Sequence, residues 1–466
     1  MKWIKKQDYL KGNKFMAIKV GMVSLGCSKN QVDAERLLAL IVHDGFEICA
    51  NPEECDVVII NTCGFIEDAK RESIESILEF CELKKAGHVK VIVVTGCLAE
   101  RYRDQLVQEI PEADVVLGIG RNFDIASAVR RALAGEKVAE YGEKEELALG
   151  GDRVLTTPNY SVYLKIAEGC DNRCTFCAIP LIRGGFRSRP MEEVLEEAKE
   201  LAANGAKELN LIAQDTTRYG LDLYGELKLA ELLRELCKID GLHWIRILYG
   251  YPERVTDELL EVMASEEKIV KYIDLPLQHA NGRVLKAMNR PGDHQSLLEK
   301  MNHIREMVPG IALRTTFIAG FPGETEEEFN ELCDFVQEVR FERMGCFAYS
   351  AEEDTIAGEM DCQLDEEVKR HRAEIVMEQQ MDIAFQYGES MIGEVIEVLV
   401  EDYDYDRLMY VGRSALDAPD IDTKTCFTAA RELHAGEFVL VEILDSEGYD
   451  LIGRELEPEM EDEDDE

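Results

Sequence analysis

The sequence predicts an α/β protein in three parts: an N-terminal parallel α/β sheet domain, a central open (βα)6 partial TIM barrel, and a C-terminal OB-like β-barrel. Three observations carry that prediction. Residues 18–140 alternate β-branched runs with amphipathic helical stretches, the pattern of a parallel sheet covered on both faces. A second series of the same kind, six strand-helix units long, fills residues 156–387. Residues 388–455 then break into short strands separated by Asp- and Gly-rich turns, as in a small barrel.

In the first part the strands are IKVGMVSL, DVVIINT, VKVIVVTG and ADVVLGIG, with QVDAERLLALIVHD and IEDAKRESIESILEFCELKKAG among the helices between them. Cys27 follows the first strand, Cys63 the second and Cys97 the third, each in the loop that leaves the strand's C-terminal end. Those ends share one edge of a parallel sheet, the usual edge for ligands. Three thiols separated by 36 and 34 residues are therefore expected to converge. Each stands beside a glycine, Gly26, Gly64 or Gly96, which permits close backbone approach. The alternative is that all three are buried structural cysteines, the role expected of Cys49, Cys55 and Cys81, which lack the strand-end position.

Residues 141–157, YGEKEELALGGDRVLTT, read as a polar linker. The second series follows, with strands at SVYLKIA, KELNLIA, HWIRILYG, KYIDLPL, IALRTTFIAG and RMGCFAYS. Helical stretches such as EEVLEEAKELAANG and TEEEFNELCDFVQEV lie between them, and EEVKRHRAEIVMEQQMDIAFQYGESMIG closes the part. Six units are fewer than the eight of a closed barrel and leave an open side, suited to a large substrate such as a protein loop or RNA. After the first strand, at the edge where such folds place their chemistry, comes AEGCDNRCTFCAIPLIRG. It offers Cys170, Cys174 and Cys177 at C-x3-C-x2-C spacing, with no Cys or His in the next fifty residues. Three soft ligands without a fourth suit a 4Fe-4S cluster with one open iron better than a closed zinc tetrahedron. A zinc site with a distant fourth ligand, or three unrelated core thiols, are the alternatives.

The motif resembles the signature of the radical S-adenosylmethionine (SAM) enzymes. The resemblance implies that SAM binds the open iron and is cleaved by one electron to a 5′-deoxyadenosyl radical, which abstracts hydrogen from an unactivated carbon. Candidates for SAM contacts lie at other strand ends. In AQDTTRYG, Gln214 and Asp215 are acceptors for an ammonium group, although the letters depart from the Gly-Gly-Glu-like motif of that superfamily. In FIAGFPGET, Gly320 and Gly323 would let adenosine approach the backbone, or else serve only as turn residues. Phe176 is expected to fill space beside the cluster or the adenine.

Bulk properties narrow the setting. The chain has 466 residues, 46% hydrophobic and 31% charged, and 14 cysteines without a signal-peptide pattern, which points to a reducing compartment where thiols serve metals. The N-terminus MKWIKKQDYLKGNKF has no apolar core, Met16 is an alternative start, and no apolar run of membrane-spanning length follows. The expected localisation is cytoplasmic. With 52 Lys+Arg against 94 Asp+Glu the net charge is −42, which argues against general nucleic-acid binding. It favours a basic protein partner or simply serves solubility.

With all three parts in order, residues 18–455 resemble the methylthiotransferases. In that family an N-terminal domain carries a second 4Fe-4S cluster, a radical SAM core follows, and a TRAM domain ends the chain. NTCGFIEDAKRESI, QDTTRYG, LPLQHANGRVLKAMNR and GRSALDAPDID are similar to the branch that modifies an aspartate in small-subunit ribosomal protein S-twelve (uS12). Gly185 stands where Lys is common in that branch. The resemblance implies that Cys170, Cys174 and Cys177 hold the SAM-cleaving cluster and that Cys27, Cys63 and Cys97 hold the auxiliary cluster, which presents sulfur. A second SAM would supply the methyl group, and a flavodoxin or ferredoxin the electron. Residues 388–455 hold 17 Asp+Glu against 5 Lys+Arg, a net −12, so this TRAM domain is expected to grip the basic ribosomal protein and not RNA. Arg183, Arg187 and Arg189, just after the cluster loop, are candidates for the substrate carboxylate or else a solvated basic surface. The acidic residues 456–466 are expected to be disordered. The alternatives are a transfer-RNA adenosine methylthiotransferase and a non-enzymatic iron-sulfur carrier.

Overall fold

The computed structural model describes residues 18–456; the alternative start at Met16 and nearly all of the acidic tail lie outside them. The N-terminal sheet holds β1 (Lys19–Ser24), β2 (Glu47–Ile48), β3 (Val57–Thr62), β4 (Val91–Gly96), β5 (Val115–Leu117) and β6 (Val138–Glu140). It runs in the order β2-β1-β3-β4-β5-β6 with every pair parallel. Side chains alternate across it. Val57, Ile59, Val91 and Val93 face α1 (Ser28–His43) and α4 (Ile125–Leu133). Val58, Ile60, Ile92 and Val94 face α2 (Glu67–Lys85) and α3 (Cys97–Glu109). Cys55 and Cys81 belong to the second core and Cys49 packs on its border, as expected of structural thiols. The short edge strands β2 and β6 were not legible, being two and three residues long.

The second sheet contains β7 (Ser161–Lys165), β10 (Glu208–Ile212), β11 (Trp244–Ile247), β12 (Ile269–Asp274), β13 (Ala312–Ala319) and β14 (Arg343–Ala348). Its order, β14-β13-β12-β11-β10-β7, follows the sequence and stays open, so the six predicted strands form the six observed ones. A two-stranded ribbon, β8 (Ala167–Glu168) with β9 (Arg187–Ser188), flanks α5 (Ile179–Arg183). The C-terminal strands β15 (Val395–Asp404), β16 (Met409–Ser414), β17 (Thr425–Thr428), β18 (Phe438–Glu447) and β19 (Asp450–Glu455) close a barrel. Four of these read as strands in the sequence. The fifth, TCFT, is short, yet it pairs with both β16 and β19 and completes the closure.

The described residues gather into two compact units. One comprises 18–198, 211–228 and 350–359; the other comprises 199–210, 229–349 and 360–456. Both three-cysteine sets lie in the first. Within that unit the stretch 141–157 is a docked segment and not a free linker. Arg153 is buried, donating to Glu35 (3.0 Å) and to Glu197 (2.7 Å), while Thr156 N–H donates to Glu35 (2.9 Å).

Within the second unit the barrel is clamped by GRSALDAPDID. Arg343 donates to Asp417 (2.9 Å), Arg314 and the Tyr272 hydroxyl donate to Asp422 (3.2 and 2.6 Å), and Arg246 donates to the Ala415 carbonyl (2.9 Å). Glu208 accepts from both Arg246 and Arg413. These acidic side chains therefore neutralise internal arginines, which reduces the acidity available for a partner.

Candidate active site

Strand ends and glycines bring the first three cysteines together. Cys27 is the N-cap of α1, Cys63 follows β3, and Cys97 begins α3, so Cys97 is the first helical residue and not part of a loop. Gly26 has φ +90°, and a Cβ there would lie 2.8 Å from the Cys63 Cβ and 2.9 Å from its sulfur. At Gly64 a Cβ would lie 2.8 Å from the backbone of Leu98. The close approach anticipated from these glycines is thus realised. Ser73 fixes Cys63, its hydroxyl accepting from the Cys63 N–H (3.0 Å) and donating to the Cys63 carbonyl (2.9 Å).

Burial pushes the Cys63 thiol up to about 12, helped by the neighbouring Cys97 and Cys27. Burial also raises Cys97, and the Arg183 guanidinium counteracts it by donating to the sulfur at 3.2 Å. Cys63 and Cys97, buried thiols that resist ionisation alone, favour a cation that takes them as thiolates. Among the described residues no three Cys, His, Asp or Glu side chains converge tightly enough for a single ion. Three cysteines with no fourth protein donor are the kind of set that holds a 4Fe-4S cluster with one iron open, so the donor chemistry suits the cluster.

The second set is local. The Cys170 N–H donates to the Gly184 carbonyl (3.1 Å) and the Cys177 N–H to the Cys174 carbonyl (3.1 Å). At Gly169, φ +77°, a Cβ would lie 2.0 Å from the Gly185 carbonyl oxygen, so the two ends of the loop touch. Gly185 itself has room, since a Cβ would meet only Asp171 at 3.4 Å. All three cysteines and Phe176 are half-buried, accessible to an incoming group. Burial raises the Cys170 thiol to about 11.

Around this loop the expected SAM contacts separate. Gln214 donates to Glu168, and its own carbonyl oxygen is buried without a hydrogen-bond partner, an acceptor suited to an ammonium group. Asp215 is engaged elsewhere. It accepts from Asn172 (2.9 Å), Thr217 (2.7 Å) and the Arg218 N–H (3.2 Å), tying the cysteine loop to its own turn. Gly320 also has a structural reason. Its φ is +79°, and a Cβ would lie 2.6 Å from the Lys369 side chain, so a helix and not an open space requires glycine there.

The three arginines after the loop are all engaged within the protein. Arg183 meets Asp33 and Glu168, Arg189 meets Glu197 (2.6 Å), and Arg187 donates to the Lys144 carbonyl (3.1 Å). Sequence reasoning missed the first of these networks. Asp33, Lys165, Glu168 and Arg183 form a fully buried cluster of two positive and two negative side chains. Burial disfavours the Glu168 carboxylate, but Lys165 and Arg183 outweigh it and hold that carboxyl far below the usual range. The available signal was α1, where charged residues interleave with apolar ones and leave no purely polar face.

A further tie joins both loops to residues 350–359. Arg101 donates to the Gly64 carbonyl (3.0 Å) and to Glu352 (2.8 Å), and Lys70 donates to Glu352 (3.1 Å). The Ala357 N–H donates to the Thr175 carbonyl (2.9 Å) between the second-set cysteines. One segment thus touches the loop after Cys63 and the loop of Cys174 and Cys177.

Three known families match in order: an uncharacterized protein family, UPF0004, over residues 19–118, the radical SAM superfamily over 164–336, and a TRAM domain over 392–455. Ribosomal protein uS12 methylthiotransferase RimO of Thermoanaerobacter sp. (strain X514) is 50% identical over 435 residues, 93% of this chain and 99% of that protein. The protein of the same name from Pelotomaculum thermopropionicum is 51% identical over 440 residues, 94% and 99% of the two chains. The chain belongs to the ribosomal protein uS12 methylthiotransferase RimO family. It is accordingly a SAM-dependent methylthiotransferase.

The fold agrees with more distant structures. TsrM from Kitasatospora setae, a radical S-adenosylmethionine methyltransferase solved with cobalamin and a [4Fe-4S] cluster, superposes with a TM-score of 0.55 at 15% identity. It covers 72% of this chain and 77% of its own. Among the described residues no helix is long and apolar enough to cross a membrane.

Proposed function

We propose that this RimO-family chain inserts a methylthio group at the β-carbon of an aspartate in ribosomal protein uS12. The observation that carries this reading is that two three-cysteine sets share one compact unit and are joined by the contact of Arg183 with Cys97. Cys170, Cys174 and Cys177 would hold one 4Fe-4S cluster with a position open to SAM, and Cys27, Cys63 and Cys97 the other. Bound there, SAM and the clusters supply radical hydrogen abstraction, a sulfur atom and a methyl group.

The chain's own residues set the stage. The unpartnered Gln214 oxygen receives the ammonium end of SAM, and Phe176 covers the cluster or the adenine. Asp215 keeps the cysteine loop in place through Asn172. Glu352, with Arg101 and Lys70, fixes the segment that spans the two loops.

The remaining acidic side chains of the barrel dock the substrate. Asp402, Asp406, Glu432, Asp445 and Glu447 are exposed, and a basic ribosomal protein would be drawn to them with an on-rate that falls as salt rises. The electron comes from a flavodoxin or ferredoxin, and the site of action is the cytoplasm.

Intact-mass analysis of uS12 from cells with and without the gene tests the reading. A gain of about 46 mass units, CH3S replacing H, is expected only when the gene is present. An unchanged uS12 together with methylthiolated transfer RNA would move the enzyme to the adenosine branch. Failure to cleave SAM under reducing conditions would leave an iron-sulfur carrier.

A further inference from the structure

We infer that Arg183 is a positioning residue for the auxiliary cluster and sets its reduction potential through the sulfur of Cys97; this rests on the assignment of Cys97 as a cluster ligand. Arg183 ends α5, the short helix that follows the loop of Cys170, Cys174 and Cys177. Its guanidinium serves the other cysteine set. It is 2% exposed, and Nη2 donates to the Cys97 sulfur at 3.2 Å and to the Asn30 side chain at 3.0 Å. Nη1 faces Asp33 and Glu168. Ala178 and Ile182 pack directly against Cys97, so the helix that carries Arg183 also excludes water from that sulfur.

Hydrogen bonds to ligand sulfurs and nearby charge set the potential of an iron-sulfur cluster. Taking up one electron adds a negative charge to the cluster and its thiolates. A guanidinium donating to one of those thiolates stabilises the reduced form, and the dry surroundings strengthen the effect. The charges around Arg183 balance, with Lys165 and Arg183 against Asp33 and Glu168. The sulfur therefore feels the orientation of the network: its positive member is the one within hydrogen-bond reach. That balance gives a second lever of opposite sign, because Asp33→Asn leaves an uncompensated positive charge beside Cys97.

The test uses the full chain with Cys170, Cys174 and Cys177 replaced by Ser, reconstituted with iron and sulfide. Uptake of about four irons per chain is expected; a chain that takes up none disposes of the ligand assignment, whatever Arg183 does. The cluster is then reduced with dithionite, a one-electron donor in this use, and its midpoint followed by electron paramagnetic resonance. Arg183→Gln should move the midpoint to a more negative value than in the parent. Arg183→Lys should shift it less in the same direction, and Asp33→Asn should shift it the opposite way. Unchanged midpoints in Arg183→Gln and Arg183→Lys at full iron content would overturn the inference. If Arg183→Gln takes up no iron, Arg183→Lys and Asp33→Asn decide it, and no shift in either would overturn it.

Discussion

The two cysteine sets each present three thiols, by opposite means. Cys170, Cys174 and Cys177 occupy one stretch of eight residues, held by backbone hydrogen bonds within it and to nearby Gly184. Cys27, Cys63 and Cys97 come from three successive units of a parallel sheet and meet only because β1, β3 and β4 are paired in register. The first set is written in local spacing, the second in topology. Whatever disturbs sheet packing should therefore act on the second set before it reaches the first.

The sharpest test of the comparison separates what each set does. Cys177→Ala and Cys97→Ala should both abolish methylthiolation of uS12, but Cys97→Ala should still cleave SAM under reduction and Cys177→Ala should not. Full methylthiolation by Cys97→Ala would end the two-set scheme. Glycines offer a gentler probe. Gly26→Ala places a methyl group against Cys63 at a positive φ and should remove roughly half of the bound iron, that of one cluster of two. Gly185→Ala, on the local loop, meets only the Asp171 side chain and should leave the iron content unchanged. Equal iron in both variants would show that the topological set tolerates what its packing forbids.

Buried charges around α1 should matter for stability more than for cluster loading. Arg153→Ala leaves Glu35 buried without its guanidinium partner and removes one of the arginines around Glu197, and should cost about 3–5 kcal/mol in urea unfolding. A smaller effect should appear on acidification. Burial alone would raise the Glu197 carboxyl, but Arg153, Arg189 and Arg36 outweigh it and hold it at about 2, below about 4.3 for an unfolded chain. Its stabilisation is therefore complete above that unfolded value and disappears as pH falls towards the folded one. Glu197→Gln should show a flatter decline of the urea midpoint across that window, and an identical slope would remove Glu197 from the account.

The same contrast explains what could be read from the sequence. The contiguous motif and the six strands of the second sheet were legible, because both are local patterns of spacing and β-branched runs. Convergence of the distant cysteines followed from strand-end placement and adjacent glycines. The charges of α1 were not legible as core: their interleaving with apolar residues is a weak signal, and the partners of Asp33, Glu35 and Arg36, namely Lys165, Arg183, Arg153 and Glu197, come from far along the chain. Of the two roles open to Gly320, adenosine approach or a turn, neither named its neighbour: nothing in FIAGFPGET announces that Lys369 fills the space beside it. The stretch 141–157 looked like a tether because its one decisive residue, Arg153, finds its partners far along the chain.

The clamp between the C-terminal barrel and the strands before it makes sequence modules poor guides to separable ones. Arg246, Arg314 and Arg343 belong to the central sheet, yet their contacts include Ala415, Asp422 and Asp417 of the barrel. A chain ended before the barrel would retain those guanidinium groups without these acceptors, in a part evolved to keep them dry. Dissection of this enzyme should therefore proceed by point substitution in the intact chain: the barrel serves as the stopper of the structure that precedes it.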